Sequence, residues 1–183
     1  PLYFENEAGA ERRYGLDGPI TAWVDDTNDN LVIDPGESAT LVVGMRRGGR
    51  RYYAFDVSDP DNPAVKWTID AAHPDFSALG QSWSRPIHTR ILVSGTPTEV
   101  LMFAGGYDPR HDELDTRDQN DTMGQAIFIV NAATGAHIET LEDSSFLRMD
   151  YAMPADLNVI DVDLDGMADL IFAGDLGGQL WRF

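Results

Sequence analysis

The sequence predicts an all-β fold of repeated antiparallel sheets, the pattern of a β-propeller, with about three blades in this chain. Three observations carry the prediction. Three apolar runs end on a glycine in the same way: "TLVVG" at Thr40–Gly44, "LMFAG" at Leu101–Gly105 and "LIFAG" at Leu170–Gly174. A second apolar run follows each after a glycine-containing turn: "RYYAFDV", "QAIFIVN" and "QLWRF". A proline opens an extended run upstream of each, at Pro19, Pro86 and Pro154, at nearly equal spacing. Three or four short strands repeated in one order read as propeller blades. A β-sandwich would match in strand number but not in order.

The first unit covers residues 14–70. Its strands are "GPITAWV", "TLVVG", "RYYAFDV" and "AVKWTI", rich in β-branched and aromatic residues and bounded by turn formers. "SDPDNP" at Ser58–Pro63 has the Asx and proline chemistry of a turn. The basic run Arg46, Arg47, Gly48, Gly49, Arg50, Arg51 reads as a hairpin tip with exposed arginines around a two-residue Gly-Gly turn. Its alternative is an arginine cluster paired with an acidic loop or a partner carboxylate. "HPDFSALG" then offers one helical turn. The second unit, 80–142, repeats the order with "SRPIHTRILV", "LMFAG", "QAIFIVN" and "AHIETL", with "NAATG" as a turn. It also carries an acidic insertion at 107–123 with Asp108, Asp112, Glu113, Asp115, Asp118 and Asp121. No 1-3-5 ligand spacing emerges there, so the insertion reads as a solvated surface loop first and a partner-binding loop second. The third unit, 150–183, holds "MPADLNVID", "LIFAG" and "QLWRF". Propellers close with about 4–8 blades, so the rest of the ring is expected outside this chain. The opening "PLYFENE", without a methionine, points the same way.

Composition narrows the function. The chain has 183 residues, 43% of them hydrophobic, which suits a folded core. Its formal charge of −18 argues against nucleic acid as a partner, because phosphates need basic surface, and favours a bound cation. No cysteine is present, so disulfides and thiolate chemistry are excluded. No apolar run approaches the ~18 residues of a membrane-spanning helix. The four histidines are scattered without metal spacing, and no G-x-S-x-G elbow, Walker or dinucleotide motif occurs. No nucleophile has a base beside it. The reading is therefore non-enzymatic, with no catalytic residue to nominate.

Two loops carry coordination chemistry. "DVDLDGMAD" places Asp161, Asp163, Asp165 and Asp169 at positions 1, 3, 5 and 9 of a D-x-D-x-D-G-x-x-D loop. Carboxylates at 1, 3 and 5 converge when the backbone coils. Gly166 permits the turn, and Met167 at position 7 offers its carbonyl. Hard oxygen ligands without His or Cys suit Ca2+ rather than Zn2+. Position 12 is Phe172, so the bidentate Glu of an EF-hand is missing. A second loop, "DTNDNLVIDPGE", sets Asp26, Asn28, Asn30, Asp34 and Glu37 at positions 1, 3, 5, 9 and 12, with Val32 at position 7. It carries Leu31 where the turn wants glycine, at a cost of ~1–2 kcal/mol for a left-handed conformation. It is expected to be a weaker or differently coiled Ca2+ site. Both loops fall between the proline strand and the glycine strand of their units.

These residues resemble a known family. "GMRRGGRRYYAFDVSDPDNPAVKWTI", "LMFAGGYD" with "DTMGQAIFIVNAATG", and "ADLNVIDVDLDGMADLIFAGDLGGQLWRF" are similar to the C-terminal propeller of the PilY (PilC) type IV pilus tip proteins. The resemblance runs from about Tyr14 to Phe183. It implies a modified, quinoprotein-like propeller at the pilus tip, reached through the periplasm and outer membrane to the bacterial cell surface. It implies work with minor pilins, and a calcium loop that governs pilus extension against retraction, hence twitching motility and adhesion. It carries the ligand set Asp161, Asp163, Asp165, Asp169 and the Met167 carbonyl. Binding of host or surface ligands would fall to regions outside this chain. Two other readings stand beside it. One is a quinone-dependent dehydrogenase, since "VNAATG" is typical of such blades. The other is a cell-surface calcium propeller of another lineage, such as an integrin-like module, against which "RRGGRRYYAFDV" argues.

Overall fold

The computed structural model describes residues 14–113, 120–142 and 148–183. The strands are β1 (Ile20–Asp25), β2 (Ser38–Gly44), β3 (Arg51–Asp56), β4 (Ala64–Asp70), β5 (Ile87–Val93), β6 (Thr96–Ala104), β7 (Ala126–Asn131), β8 (His137–Glu142), β9 (Asn158–Ile160), β10 (Leu170–Gly174) and β11 (Leu180–Arg182). They form three antiparallel sheets in the orders β1-β2-β3-β4, β5-β6-β7-β8 and β11-β10-β9. Each sheet is a meander in which neighbours in sequence pair, as a propeller blade requires. Pro154 does not open the third sheet. Its first strand starts only at Asn158, and Met153 instead bridges to Gly106 of the second sheet.

Packing explains the strand sequences. In β3 the alternation puts Tyr52 and Ala54 into the core and turns Tyr53 and Phe55 the other way. In β6 and β7 the alternation disappears: Val100–Ala104 and Ala126–Val130 are all buried. A near-continuous apolar run marks a sheet covered on both faces. Leu101, Phe103, Phe128 and Val130 pack against Val42, Tyr52, Trp67 and Ile69 of the first sheet. Val100, Met102, Ile127 and Ile129 pack against Met149, Met153, Ile171 and Ala173 on the other side. The core thus lies between the sheets. The Tyr52 ring meets Phe103 at 4.5 Å, and its hydroxyl donates to the Ser84 carbonyl at 2.8 Å. Removing a ring such as Phe128 from this layer costs ~3–5 kcal/mol.

The meander sends its connections to two opposite rims. One rim carries residues 26–37 between β1 and β2, a two-residue turn at Ser94 and Gly95 between β5 and β6, and residues 161–169 between β9 and β10. The other carries residues 45–50, the insertion after β6, and residues 175–179. The "HPDFSALG" turn is a 3-10 turn at Pro74–Phe76. The basic run is not a two-residue hairpin. It forms a wider loop with a 3-10 turn at Arg46–Gly48, pinned by Met45 N–H to the Ser82 hydroxyl and Arg46 N–H to the Ser82 carbonyl. The adjoining segment at Ser82 fills the space that a tight turn would leave empty.

Candidate metal centre

The two rim loops share one backbone. Positions 4 and 6 are left-handed in both: Asp29 (φ 57) and Leu31 (φ 64), Leu164 (φ 63) and Gly166 (φ 87). In each, the carboxylate at position 1 accepts the position 6 N–H at 2.8 Å, from Leu31 to Asp26 and from Gly166 to Asp161. In each, the position 7 N–H reaches the position 5 side chain, Val32 to Asn30 at 2.7 Å and Met167 to Asp165 at 2.8 Å. The position 5 N–H reaches position 3, Asn30 to Asn28 at 3.1 Å and Asp165 to Asp163 at 3.2 Å. Leu31 adopts the strained conformation that its place in the motif demands. It does so with its side chain 92% exposed, so no packing offsets the strain.

The side chains close the loops differently. In the first loop Asn28 and Asn30 both donate amide N–H bonds to Oδ2 of Asp34, at 2.9 and 2.8 Å. These bonds hold the Asp34 carboxyl below its ordinary value of 3.8. Glu37 accepts Thr27 N–H and Oγ1–H, both at 2.8 Å, and Asp34 N–H at 3.0 Å. The bond from Asp34 N–H is the largest of the effects that lower its carboxyl. The side-chain oxygens at positions 3, 5 and 12, and Oδ2 at position 9, thus already have protein partners. In the second loop one oxygen each from Asp161, Asp163 and Asp169 lies within 4.8 Å of the others. Two oxygens on one Ca2+ sit at most ~5 Å apart, since each bond is ~2.3–2.6 Å. The triad therefore has the span of a calcium shell. Asp165 stands outside this grouping, with Oδ1 turned to the Met167 N–H. Two unit charges at this separation repel by ~1 kcal/mol even in bulk water. Only Val162 N–H, at 2.7 Å, is directed at Asp169 among the described residues. A divalent cation is the chemistry that this donor set fits.

The second loop is also tied into the fold. Asp169 N–H donates to Ile160 O at 2.9 Å, and Ala168 N–H to Arg90 O on β5 at 2.8 Å. A cleft of about 530 Å3 is bordered by both loops, through Asp26, Thr27 and Gly166. Its walls include His88, stacked on Trp23 at 4.4 Å, and Glu99, which pairs with His88 at 2.7 Å and with Arg90 at 2.5 Å. Burial pushes the His88 imidazole below 6.5 despite the pull of Glu99.

On the opposite rim, the described ends of the acidic insertion correct its reading as a solvated loop. Asp108 and Asp121 are buried. Asp108 accepts Thr122 N–H at 2.9 Å, Thr122 Oγ1–H at 3.0 Å and Arg110 N–H at 3.0 Å. Burial raises its carboxyl, and the bonds from Thr122 and Arg110 outweigh that, leaving it below 3.8. Asp121 Oδ2 accepts Ala152 N–H at 2.6 Å, and its Oδ1 lies 2.6 Å from His111 Nε2. Asn120 donates to Asp150 at 2.8 Å, and Asp112 takes Arg47 at 2.6 Å and the Tyr107 hydroxyl at 2.9 Å. The described ends of the insertion therefore clasp the loop between β2 and β3 and the segment leading to β9. Asp115 and Asp118 lie outside the described residues. The Arg47–Asp112 pair realises the alternative reading of the arginine run as paired with an acidic loop, whereas no sequence signal marked the other anchors, because their partners are distant along the chain.

Comparison with known proteins gives one consistent result. Residues 5–183 match the family model described as the PilY1 beta-propeller domain. A type IV pilus biogenesis factor PilY1 homolog of Xylella fastidiosa is 28% identical over 94% of this chain and 11% of its own length. PilY1 of Pseudomonas aeruginosa is 32% identical over 79% of this chain and 11% of its own length. The chain thus spans about a tenth of these relatives. The crystal structure of the Pseudomonas aeruginosa PilY1 C-terminal domain superposes with a TM-score of 0.61 at 28% identity, covering 80% of this chain and 26% of that one.

Proposed function

The chain belongs to the PilY1 β-propeller family, and on that premise we propose that it is a non-enzymatic, calcium-binding propeller segment of a type IV pilus biogenesis factor. The observation that carries the calcium reading is the convergence of Asp161, Asp163 and Asp169 within 4.8 Å in a loop that bridges two strands and bonds to a neighbouring sheet. Ca2+ there takes up charge that the protein leaves uncompensated, with the Met167 carbonyl and Asp165 completing the shell. It holds β9 and β10 at a fixed angle to β5. The residues themselves position oxygens and exclude nothing else, so the role is structural or regulatory and not catalytic. The loop at Asp26, Asn28, Asn30, Val32, Asp34 and Glu37 is the weaker site.

The pilus role follows from relatives named as pilus biogenesis factors. In this reading the segment stands at the cell surface, on the pilus tip with minor pilins. There, calcium occupancy sets extension against retraction, with twitching motility and adhesion downstream. Among the described residues no helix is long and apolar enough to cross a membrane. Titration calorimetry with Ca2+ on the protein and on Asp161→Ala tests the site: the wild type gives a heat that the variant lacks. Equal heats remove the assignment. Loss of the heat with unchanged piliation and twitching in cells carrying the variant makes the ion structural only.

A further inference from the structure

The arginine run on the rim away from the calcium loop is not explained by calcium, and its four members have different fates. Arg47 pairs with Asp112 at 2.6 Å, Arg50 donates to the Leu79 and Ser77 carbonyls at 2.6 and 3.0 Å, and Arg51 pairs with Asp70 at 2.6 Å. Arg46 alone makes no ion pair and no side-chain hydrogen bond among the described residues. Its guanidinium lies over the Trp83 ring, 4.6 Å from the centroid. Its backbone is left-handed at φ 48, a conformation that a long side chain adopts only when the surroundings impose it. The imposition is visible: Arg46 N–H is bonded to the Ser82 carbonyl, and Met45 N–H to the Ser82 hydroxyl. The stacked guanidinium borders a cleft of about 420 Å3 shared with Asp17, Pro19, Trp83, Pro154 and Asp156. Residues before β1, before β5 and before β9 meet there, so all three sheets contribute.

We propose that Arg46, held on Trp83 in this cleft, anchors a binding site for a single carboxylate side chain on an extended, otherwise uncharged segment of a partner protein. The indole contact holds the guanidinium in the cleft, and its N–H groups, without side-chain partners among the described residues, suit a planar, two-oxygen acceptor. The fixed backbone removes the ordering cost that a free arginine would bring to binding. Asp17 and Asp156 stand in the same cleft and restrict it to a single negative charge, so a phosphate dianion is disfavoured. The prolines and the indole supply the apolar wall against which an extended chain lies.

Short capped peptides test this, with one position varied as Glu, Gln or phosphoserine, assayed by fluorescence polarisation on the full-length protein. The Glu peptide binds about tenfold more tightly than its Gln twin, the worth of one charge-assisted pair. The phosphoserine peptide binds less well than Glu. Arg46→Asn, which tolerates the left-handed backbone, abolishes the Glu preference and leaves the melting temperature unchanged. Arg46→Lys keeps the charge and loses most of the preference. Arg50→Ala, which releases two carbonyls, serves as the structural control and lowers the melting temperature. Equal binding of Glu and Gln, a preference for phosphoserine, an unaffected Arg46→Asn, or an Arg46→Asn that melts as low as Arg50→Ala each overturns the proposal.

Discussion

The loops at 26–37 and 161–169 are built on the same backbone and reach opposite electrostatic outcomes. Both place left-handed residues at positions 4 and 6 and tie position 1 to the position 6 N–H. In the first, two asparagine amides reach across to Asp34 and do the bridging that a cation would do. In the second, aspartates replace those asparagines, and three carboxylates face one another with backbone N–H donors but no side-chain donor among the described residues. The difference teaches that the coil itself is not the metal site. Residue choice at positions 3 and 5 decides whether side-chain amides bridge the coil or carboxylates are left facing one another.

The comparison can be broken most directly by exchange. Asp163→Asn with Asp165→Asn gives the calcium loop the ligand types of the first, and Ca2+ affinity should fall about a hundredfold, since ligand charge sets affinity. The reciprocal Asn28→Asp with Asn30→Asp should strengthen Ca2+ binding at 26–37 about as much and lower the melting temperature in chelator. Calorimetry and thermal melts with and without Ca2+ read both; unchanged affinities would mean that the coil dominates. Next in size is position 6. Nothing lies within 4 Å of a Cβ added at Gly166, so Gly166→Ala tests backbone strain alone and should cost ~1–2 kcal/mol. Leu31→Gly should gain ~0.5–1 kcal/mol, strain relief exceeding the added unfolded-state freedom; denaturant melts measure each. The smallest effect is in acid. Asp34 and Glu37 are held below 3.8 and 4.5, so their stabilising contribution is complete above those values and fades only as pH falls through the lowered ones. The Thr27 and Asn30 amide signals should move with midpoints below the ordinary ones, and Asn28→Ala with Asn30→Ala should return the Asp34 midpoint toward 3.8.

Much of this was legible because it is local. Apolar runs ending on Gly44, Gly105 and Gly174 located the strands, and aspartate spacing located both coils, including the left-handed demand on Leu31. What escaped depends on distant partners. Arg47 and Asp112 are 65 residues apart, and nothing in "RRGGRR" names its carboxylate. The Gly48-Gly49 pair suggested a tight turn, but Ser82 enters from another segment and widens it. The direction of the Asn28 and Asn30 amides was equally hidden, since asparagine serves as ligand or as donor with the same letter. Burial of Asp108 and Asp121 contradicts their composition and is set by Thr122, His111 and Ala152.

The middle sheet is buried on both faces, with β6 and β7 shared between two cores. Its walls therefore have no freedom to drift: a residue changed on either face is felt by two sheets at once. Its ends are unconstrained by that packing, and the long insertion sits at one of them. A protein made this way can acquire new properties only along its two rims, and each rim can change without the other registering it. The proposed cation response and partner recognition would then be separately evolvable traits carried on one shared wall.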